Sequence, residues 1–504
     1  MDTRPKTSSS ELTLLESHSG KFSVPPTDGP NYDEAFKFLQ VASANFASQP
    51  AIIVKIDRHA MVDDILTDLE VGNKDGQLIP AISASTCLLG SFLSAFILVK
   101  APASTWLAGN ALAWGVVVGC TAATTSTVSF ITCRALAGLL QAATIPCLTV
   151  LLASWYRKSE QALRFCMLFT AIGTAKVAAP FICYGLAEIY SPTFASWRIM
   201  SIVIGILGLL TGFWILLALS NDPMAAAGHL LCSQETVALL NYMSSNRTTI
   251  RNRTFTKSHI RAMLSDPQVL VLGLLVATAS ISYSMAEFAT SRTTLLDSPD
   301  DSRALILTCT GVPALVVTIG VGLLLQYTRL NRIACLFGLL ILVTVGAILF
   351  SFSNTSPGMN IQNSATGLVY AIITLSNISI AGTAVVLSFA AANIAGSTKR
   401  TVSISLIAAG FAFGKVCSVF ICFSFPSNVD FPQAGLVFLA CSVASILLVL
   451  VLCGWYVLAN ARKLAYEKAI RQRDREHGYS VIKPHGDQWM DRTDQEDEEF
   501  FYDY

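Results

Sequence analysis

Charge is scarce in this chain. Asp, Glu, Lys and Arg make up 13% of its 504 residues, about half of the ~25% usual in a soluble domain. The formal net charge is only +1, which gives nucleic acid no basic surface to bind. Neither a Cys-x-x-Cys pair nor a Cys/His cluster occurs among the 13 cysteines, so no zinc site or disulfide framework is supported. Most of these cysteines fall inside apolar runs and read as small buried hydrophobes. There is no His-Glu-x-x-His, no Gly-x-Ser-x-Gly, no pair of carboxylates within an apolar run and no nucleotide-binding loop. Metalloprotease, serine-hydrolase and ATP-driven pump chemistry therefore have nothing to stand on. No cofactor, no metal and no enzymatic activity are expected.

What the chain has instead is length without charge. Apolar residues make up 53%, gathered into eleven stretches near 77–99, 106–126, 128–153, 165–187, 199–219, 269–289, 304–326, 333–352, 366–390, 402–424 and 434–458. Each has roughly the 20 residues a helix needs to cross ~30 Å of hydrocarbon. Backbone polar groups in lipid are satisfied only in helices or closed barrels, so the stretches are read as transmembrane helices. The fold class expected is all-α integral membrane, with the lipid bilayer as solvent.

The cations sit between the stretches. Arg157, Lys158 and Arg164 follow the third, and Arg247, Arg251, Arg253, Lys257 and Arg261 lie in the central segment. Arg329 and Arg332 follow the seventh, Lys399 and Arg400 the ninth, and six Lys and Arg between Arg462 and Arg475 the last. By the positive-inside bias this set is cytosolic, with the central segment and the C-terminus. The division expected is 1–76 as a tail and remnant, 77–219 as a five-span bundle, 220–268 as a central cytosolic loop, 269–458 as a six-span bundle and 459–504 as a cytosolic tail. Residues 1–35 are rich in Ser, Thr, Pro and charge and read as disordered. Residues 460–476 read as a basic helix leaving the last span, and Asp491–Tyr504 as an acidic, mobile end. The odd span count is informative: four spans precede the Lys399–Arg400 loop in the second half, but three precede the matching Arg157–Lys158 loop. The segment 38–66 holds Lys55, Asp57, Arg58, Asp63 and Asp64, and at ~2.5–3.5 kcal/mol per central charge it should not insert. A short re-entrant helix at 41–54 is the alternative.

Several stretches together resemble the major facilitator superfamily, and within it the fungal allantoate-permease type of anion:cation symporter. They are Lys55-Ile-Asp-Arg-His59, Cys133-Arg-Ala-Leu-Ala-Gly138, the Ser154–Arg164 loop, Asn252–Lys257 with Asp266-Pro267, Asn393–Val402 and Thr493–Phe500. The resemblance implies a two-bundle fold at the plasma membrane, and that the family's first helix is missing after His59. It implies that Arg134, on the third span, attracts an anionic substrate, a task that suits a guanidinium. The alternative for Arg134 is tying helices together through backbone carbonyls. Related symporters place a proton-carrying glutamate seven residues on, where this chain has Gln141, which cannot titrate. Protons are thus a partner by family norm alone, and the direction of transport stays open.

Other ionisable groups within spans are functional candidates because they are costly there. Lys176 lies mid-span and either pairs with substrate, snorkels or is simply tolerated there. Lys415 is a candidate cavity residue, and Glu287 a candidate proton acceptor or interface residue. Pro146, Pro180 and Pro313 are expected to kink their helices. Gly205, Gly208 and Gly212 suggest close helix packing. Asn354-Thr-Ser is expected outside and glycosylated, whereas Asn246 and Asn252 fall in the cytosolic loop and should be unmodified. The function expected is secondary transport of a small organic anion by alternating access. The alternative is a transport-incompetent relic, or a receptor or scaffold derived from such a transporter.

Overall fold

The computed structural model describes residues 73–187, 195–221, 246, 255–297, 300–328, 330–355, 374–424, 432–477, 491–497 and 500–503. All of them belong to one compact unit that spans Gln40–Tyr504. The expected re-entrant segment and the gap at the family's first helix lie outside the described residues.

Among the described residues six helices form the first half: α1 Asn73–Lys100, α2 Ala103–Thr121, α3 Thr127–Gln141, α4 Thr144–Trp155, α5 Lys158–Ala187 and α6 Ser196–Ala218. A short helix, α7 Lys257–Leu264, leads into α8 Pro267–Asp297, α9 Asp300–Tyr327, α10 Arg332–Thr355, α11 Ser379–Asn393, α12 Ser397–Ser424 and α13 Pro432–His477. Among the described residues ten segments are long and apolar enough to cross a membrane, and α9 adds an apolar stretch at Gly311–Tyr327. These eleven correspond to the eleven apolar runs of the sequence. Large side chains such as Leu89, Phe96, Leu210 and Leu217 stand exposed on them, which suits a hydrocarbon solvent and would be a liability in water.

α3 and α4 make one crossing, Thr127–Trp155, interrupted by a turn at Ala142–Ala143. Pro146 explains the interruption: it has no N–H to give, and its ring presses on the carbonyl four residues back, that of Ala142. It then sits in the first turn of α4, where an N–H would lack a helical partner anyway. Ser126 starts α3 by accepting the Ser129 N–H at 3.3 Å, with the Ser129 side chain answering back in a capping box.

Within the first half α2 lies along α6 and α1 along α3; in the second, α10 lies along α13 and α8 along α12 and α13. Two seams join the halves, α5 against α9 and α1 against α12. If the second-half helices α8–α13 are numbered one to six, α9 is second and α12 fifth. The two seams become equivalent only when α1 also counts as second and α5 as fifth. By the same count α2/α6 and α10/α13 are both third against sixth. Among the described residues no helix of the first half holds the place that α8 holds in the second.

The α2/α6 contact is close because glycines line both sides. A Cβ on Gly115 would stand 2.7 Å from the Leu209 nitrogen, and one on Gly205 2.8 Å from the Gly119 nitrogen. α11 is the innermost helix: every residue from Ser379 to Asn393 is buried. It touches α5 across the seam as well as α8, α9, α10 and α12. The expected acidic, mobile C-terminus is corrected here. Residues 491–497 and 500–503 are folded back onto the end of the bundles that carries the basic loops, and Thr493 and Asp494 are fully buried.

Candidate functional site

Lys176 projects from α5 at the seam between the halves and is 2% exposed. Its ammonium donates to the Asn377 side-chain oxygen at 2.7 Å and stands 4.3 Å from the centre of the Tyr283 ring. Asn377 belongs to the crossing Thr374–Asn393 and Tyr283 to α8. One lysine of the first half thus meets two helices of the second. On the α9 side the fit is tight, since a Cβ on Gly311 would come within 2.8 Å of the Lys176 Cβ. An ammonium this dry needs oriented dipoles or a counter-charge, and the amide oxygen and the ring face supply the dipoles.

The other candidates are dispersed. Arg134 is half-buried on α3, its guanidinium 4.9 Å from the centre of the Phe130 ring one turn earlier. Phe130 in turn sets its edge against Trp197 of α6, at 6.0 Å. Gly138 lets α3 approach α1, because a Cβ there would meet the Ser83 carbonyl and the Thr86 hydroxyl. Gln141 is half-buried in the last turn of α3, just before the proline-induced interruption. Lys415 is half-buried on α12, 4.7 Å from the Phe411 ring centre and within electrostatic reach of Cys87 on α1. Glu287 belongs to α8, and Asn354 to the last turn of α10; their side chains lie outside the described residues. Arg134, Lys176 and Lys415 therefore occupy three helices with different described partners. Asn377 and Tyr283 are the neighbours that sequence reasoning missed, since a lone Asn or Tyr inside a span carries no pattern.

A second polar centre lies at the basic end. The Lys399 ammonium is 2.7 Å from Asp266 Oδ2 and 2.7 Å from Asp494 Oδ1, and all three side chains are 0% exposed. Asp266 also caps α8: its Oδ1 accepts the Gln268 N–H at 3.1 Å, with Pro267 at the first helical position where no N–H is needed. Asp494 takes a further bond from the Tyr502 hydroxyl at 2.8 Å. These extra donors are what make a buried ion cluster tolerable. Burial pushes the Asp266 carboxyl pKa up, with Lys399 pulling it back. Burial and the neighbouring Asp494 raise that of the Tyr502 phenol.

The three resemblance stretches Asp266-Pro267, Asn393–Val402 and Thr493–Phe500 converge on this cluster. Thr493 and Glu496 close a turn, the Thr493 N–H donating to Glu496 at 3.0 Å and the Glu496 N–H to the Thr493 hydroxyl at 3.3 Å. Gly396, with φ of 90°, turns α11 into α12 in the left-handed region that glycine tolerates. A Cβ there would also crowd Thr493 and His259.

At the same end Asn246 is buried and completes the start of α5. Its side-chain oxygen accepts the Lys158 N–H at 3.0 Å and its amide donates to the Tyr156 carbonyl at 3.1 Å.

The family model described as Major Facilitator Superfamily matches residues 60–418. An uncharacterized transporter of Schizosaccharomyces pombe is 24% identical over 446 residues, 88% of this chain and 81% of that one. The allantoate permease of Saccharomyces cerevisiae is 26% identical over 171 residues, 33% of this chain and 31% of the relative. The likeness to that permease is thus partial. The proton:xylose symporter XylE, solved with 6-bromo-6-deoxy-D-glucose, superposes with a TM-score of 0.66 at 13% identity. That match covers 82% of this chain and 94% of XylE, and at such low identity it speaks for the fold alone. With two helical halves meeting along paired seams and a family match over most of its length, the chain belongs to the major facilitator superfamily of membrane transporters.

Proposed function

We propose that this transporter is secondary active and moves a small organic anion of the carboxylate type across the plasma membrane of a fungal cell. The two bundles would rock around a midplane site. The observation that carries the reading is Lys176, a buried ammonium on the seam, held by Asn377 at 2.7 Å and facing the Tyr283 ring. A cation there belongs to both bundles at once, so an anion drawn to it senses their relative position. Arg134 on α3 and Lys415 on α12 would add positive potential from either bundle. The partial match to an allantoate permease makes allantoate and related ureido and simple carboxylates the first panel to try. Proton coupling is left to a group other than Gln141.

The test is uptake of that panel by vesicles from cells expressing the chain, with Lys176→Met and Arg134→Ala alongside. A charge-assisted hydrogen bond contributes ~1.5–3 kcal/mol, so Lys176→Met should weaken apparent substrate affinity roughly 10- to 150-fold. Unchanged affinity in that variant, or uptake confined to neutral solutes, would refute the anion reading.

One feature of the sequence favours the second reading, a relic or receptor without transport: the segment 38–66, where the family's first helix is expected, carries Lys55, Asp57, Arg58, Asp63 and Asp64. Sequencing the transcript across the codons for Lys55–Gly76 separates the two. About 20 additional apolar codons after Met61 would restore a twelve-helix transporter. A direct junction from Met61 to Val62, together with no uptake of any panel member, would establish the relic.

A further inference from the structure

We propose that the C-terminal residues 491–497 and 500–503 form an intramolecular latch, which clamps the two bundles together at their basic, cytosolic end and must undock for that mouth to open. The inference adds a regulatory element to the alternating-access reading and rests on it for the meaning of an open mouth.

The docking is specific on the second-bundle side. Asp494 meets Lys399 at 2.7 Å, and Asp491 accepts both the backbone N–H of Ser397, at 2.8 Å, and its hydroxyl, at 2.6 Å. The Asn393 amide donates to the Asp503 carbonyl and its oxygen accepts the Asp503 N–H, each at 2.8 Å. Asn460 makes the same two-way pairing with Tyr502, both bonds at 2.9 Å. Such side-chain amides act as a pair of ladder bonds and fix the register of the segment to the residue. The Tyr502 ring stacks on Tyr456 with centroids 5.5 Å apart.

The segment also reaches the first bundle. The Lys158 ammonium, at the start of α5, sits 3.8 Å over the Phe500 ring. Asp503 holds Arg332 at 3.2 Å, and the same guanidinium donates to the Lys158 carbonyl. Beside them Arg400 of α12 donates to the Ala153 carbonyl of α4 at 3.0 Å. The end of α4 and the start of α5 are thus tied to the starts of α10 and α12 where the C-terminal segment covers them.

Lys399 is the centre of this arrangement. Without it, Asp266 and Asp494 would face each other out of water. Asp266 is fixed as the cap of α8, whereas Asp494 is carried by the segment, so the cheaper escape is for the segment to leave.

Hydrogen exchange read by mass spectrometry on the full chain in nanodiscs tests this without any substrate. A failed uptake assay and a failed latch are therefore separate results. Breaking a buried charge pair should speed local opening roughly a hundredfold. Lys399→Met is expected to raise exchange by that factor at 491–503 and also at the end of α4, the start of α5, the end of α11 and the start of α12, leaving the α2/α6 contact at its original rate. Phe500→Ala, which removes the ring contacts to Lys158, Lys463 and Tyr502 but leaves the Lys399 ion cluster in place, should give the same pattern with a smaller rise. Combining Lys399→Met with Asp266→Asn and Asp494→Asn should restore much of the protection, because no unpaired charge then remains among these three buried side chains. Faster exchange at 491–503 with the helix ends still protected overturns the proposal, since the segment would then be a passive cover. If Lys399→Met loosens α2/α6 as well, the Phe500→Ala pattern decides by itself.

Discussion

Placing one methyl group on Gly205 tests the packing of the first bundle. A Cβ there would lie 2.8 Å from the Gly119 nitrogen, 2.9 Å from the Gly115 oxygen and 2.9 Å from the Gly119 Cα. All three are backbone atoms of α2, so no side chain can rotate away and the helices themselves must part. Overpacking of this kind costs ~1–3 kcal/mol. Alanine is also a better helix former than glycine by ~1 kcal/mol, which would hide part of the cost. The comparison with Gly109→Ala removes that complication, because a Cβ at Gly109 meets nothing within 4 Å and the propensity gain is common to both. Melting of the detergent-purified chain, followed by monodispersity on size exclusion, should place Gly205→Ala below Gly109→Ala by the full ~1–3 kcal/mol. Gly115→Ala should match Gly205→Ala. The double variant should lose less than the sum, since both methyls demand the same added separation. Equal melting of Gly205→Ala and Gly109→Ala would refute close backbone contact between α2 and α6.

Two further outcomes follow from asparagines. Asn246→Ala leaves the Lys158 N–H and the Tyr156 carbonyl without the side-chain amide that now pairs with them; the expected loss is ~1–3 kcal/mol, read as a lower melting point, and an unchanged one would count against the docking of Asn246. Glycosidase treatment of the expressed chain should reveal a single glycan that Asn354→Gln removes and Asn246→Gln does not, and a glycan surviving Asn354→Gln would reverse the assigned orientation.

The positioning of Lys176 shows how far local sequence carries an argument about function. Its oddity is plain, because a lysine amid small apolar residues is expensive in lipid. Its purpose is not, because Tyr283 and Asn377 lie 107 and 201 positions further along the chain, and nothing in either neighbourhood announces a partner. The separation of Arg134 and Lys415 from it is equally illegible: each is anchored on an aromatic ring one helical turn before it. The acidic C-terminus was misread for a related reason. A run of carboxylates is usually solvated, and only the arrival of Lys399, 95 positions earlier in the chain, turns Asp494 into a buried partner. The quoted family stretches did mark the spot, as three pieces of one cluster that had no visible connection along the chain.

Taken alone, the sequence determined that the chain is helical and membrane-embedded, with eleven apolar runs in two groups, which set of loops carries the cations, and that Pro146 disturbs its helix. Those features follow from the thickness of hydrocarbon, the cost of charge within it and the missing proline N–H, all of which act over a few turns of chain. The tertiary structure decided which crossings pair across the seam, that α1 takes the role of a second helix and α5 that of a fifth, and that Lys176 and Lys399 each join distant segments. Those outcomes depend on helix faces meeting in space, and the enforcing contacts, glycine against backbone and ammonium against amide or carboxylate, exist only once the helices are packed.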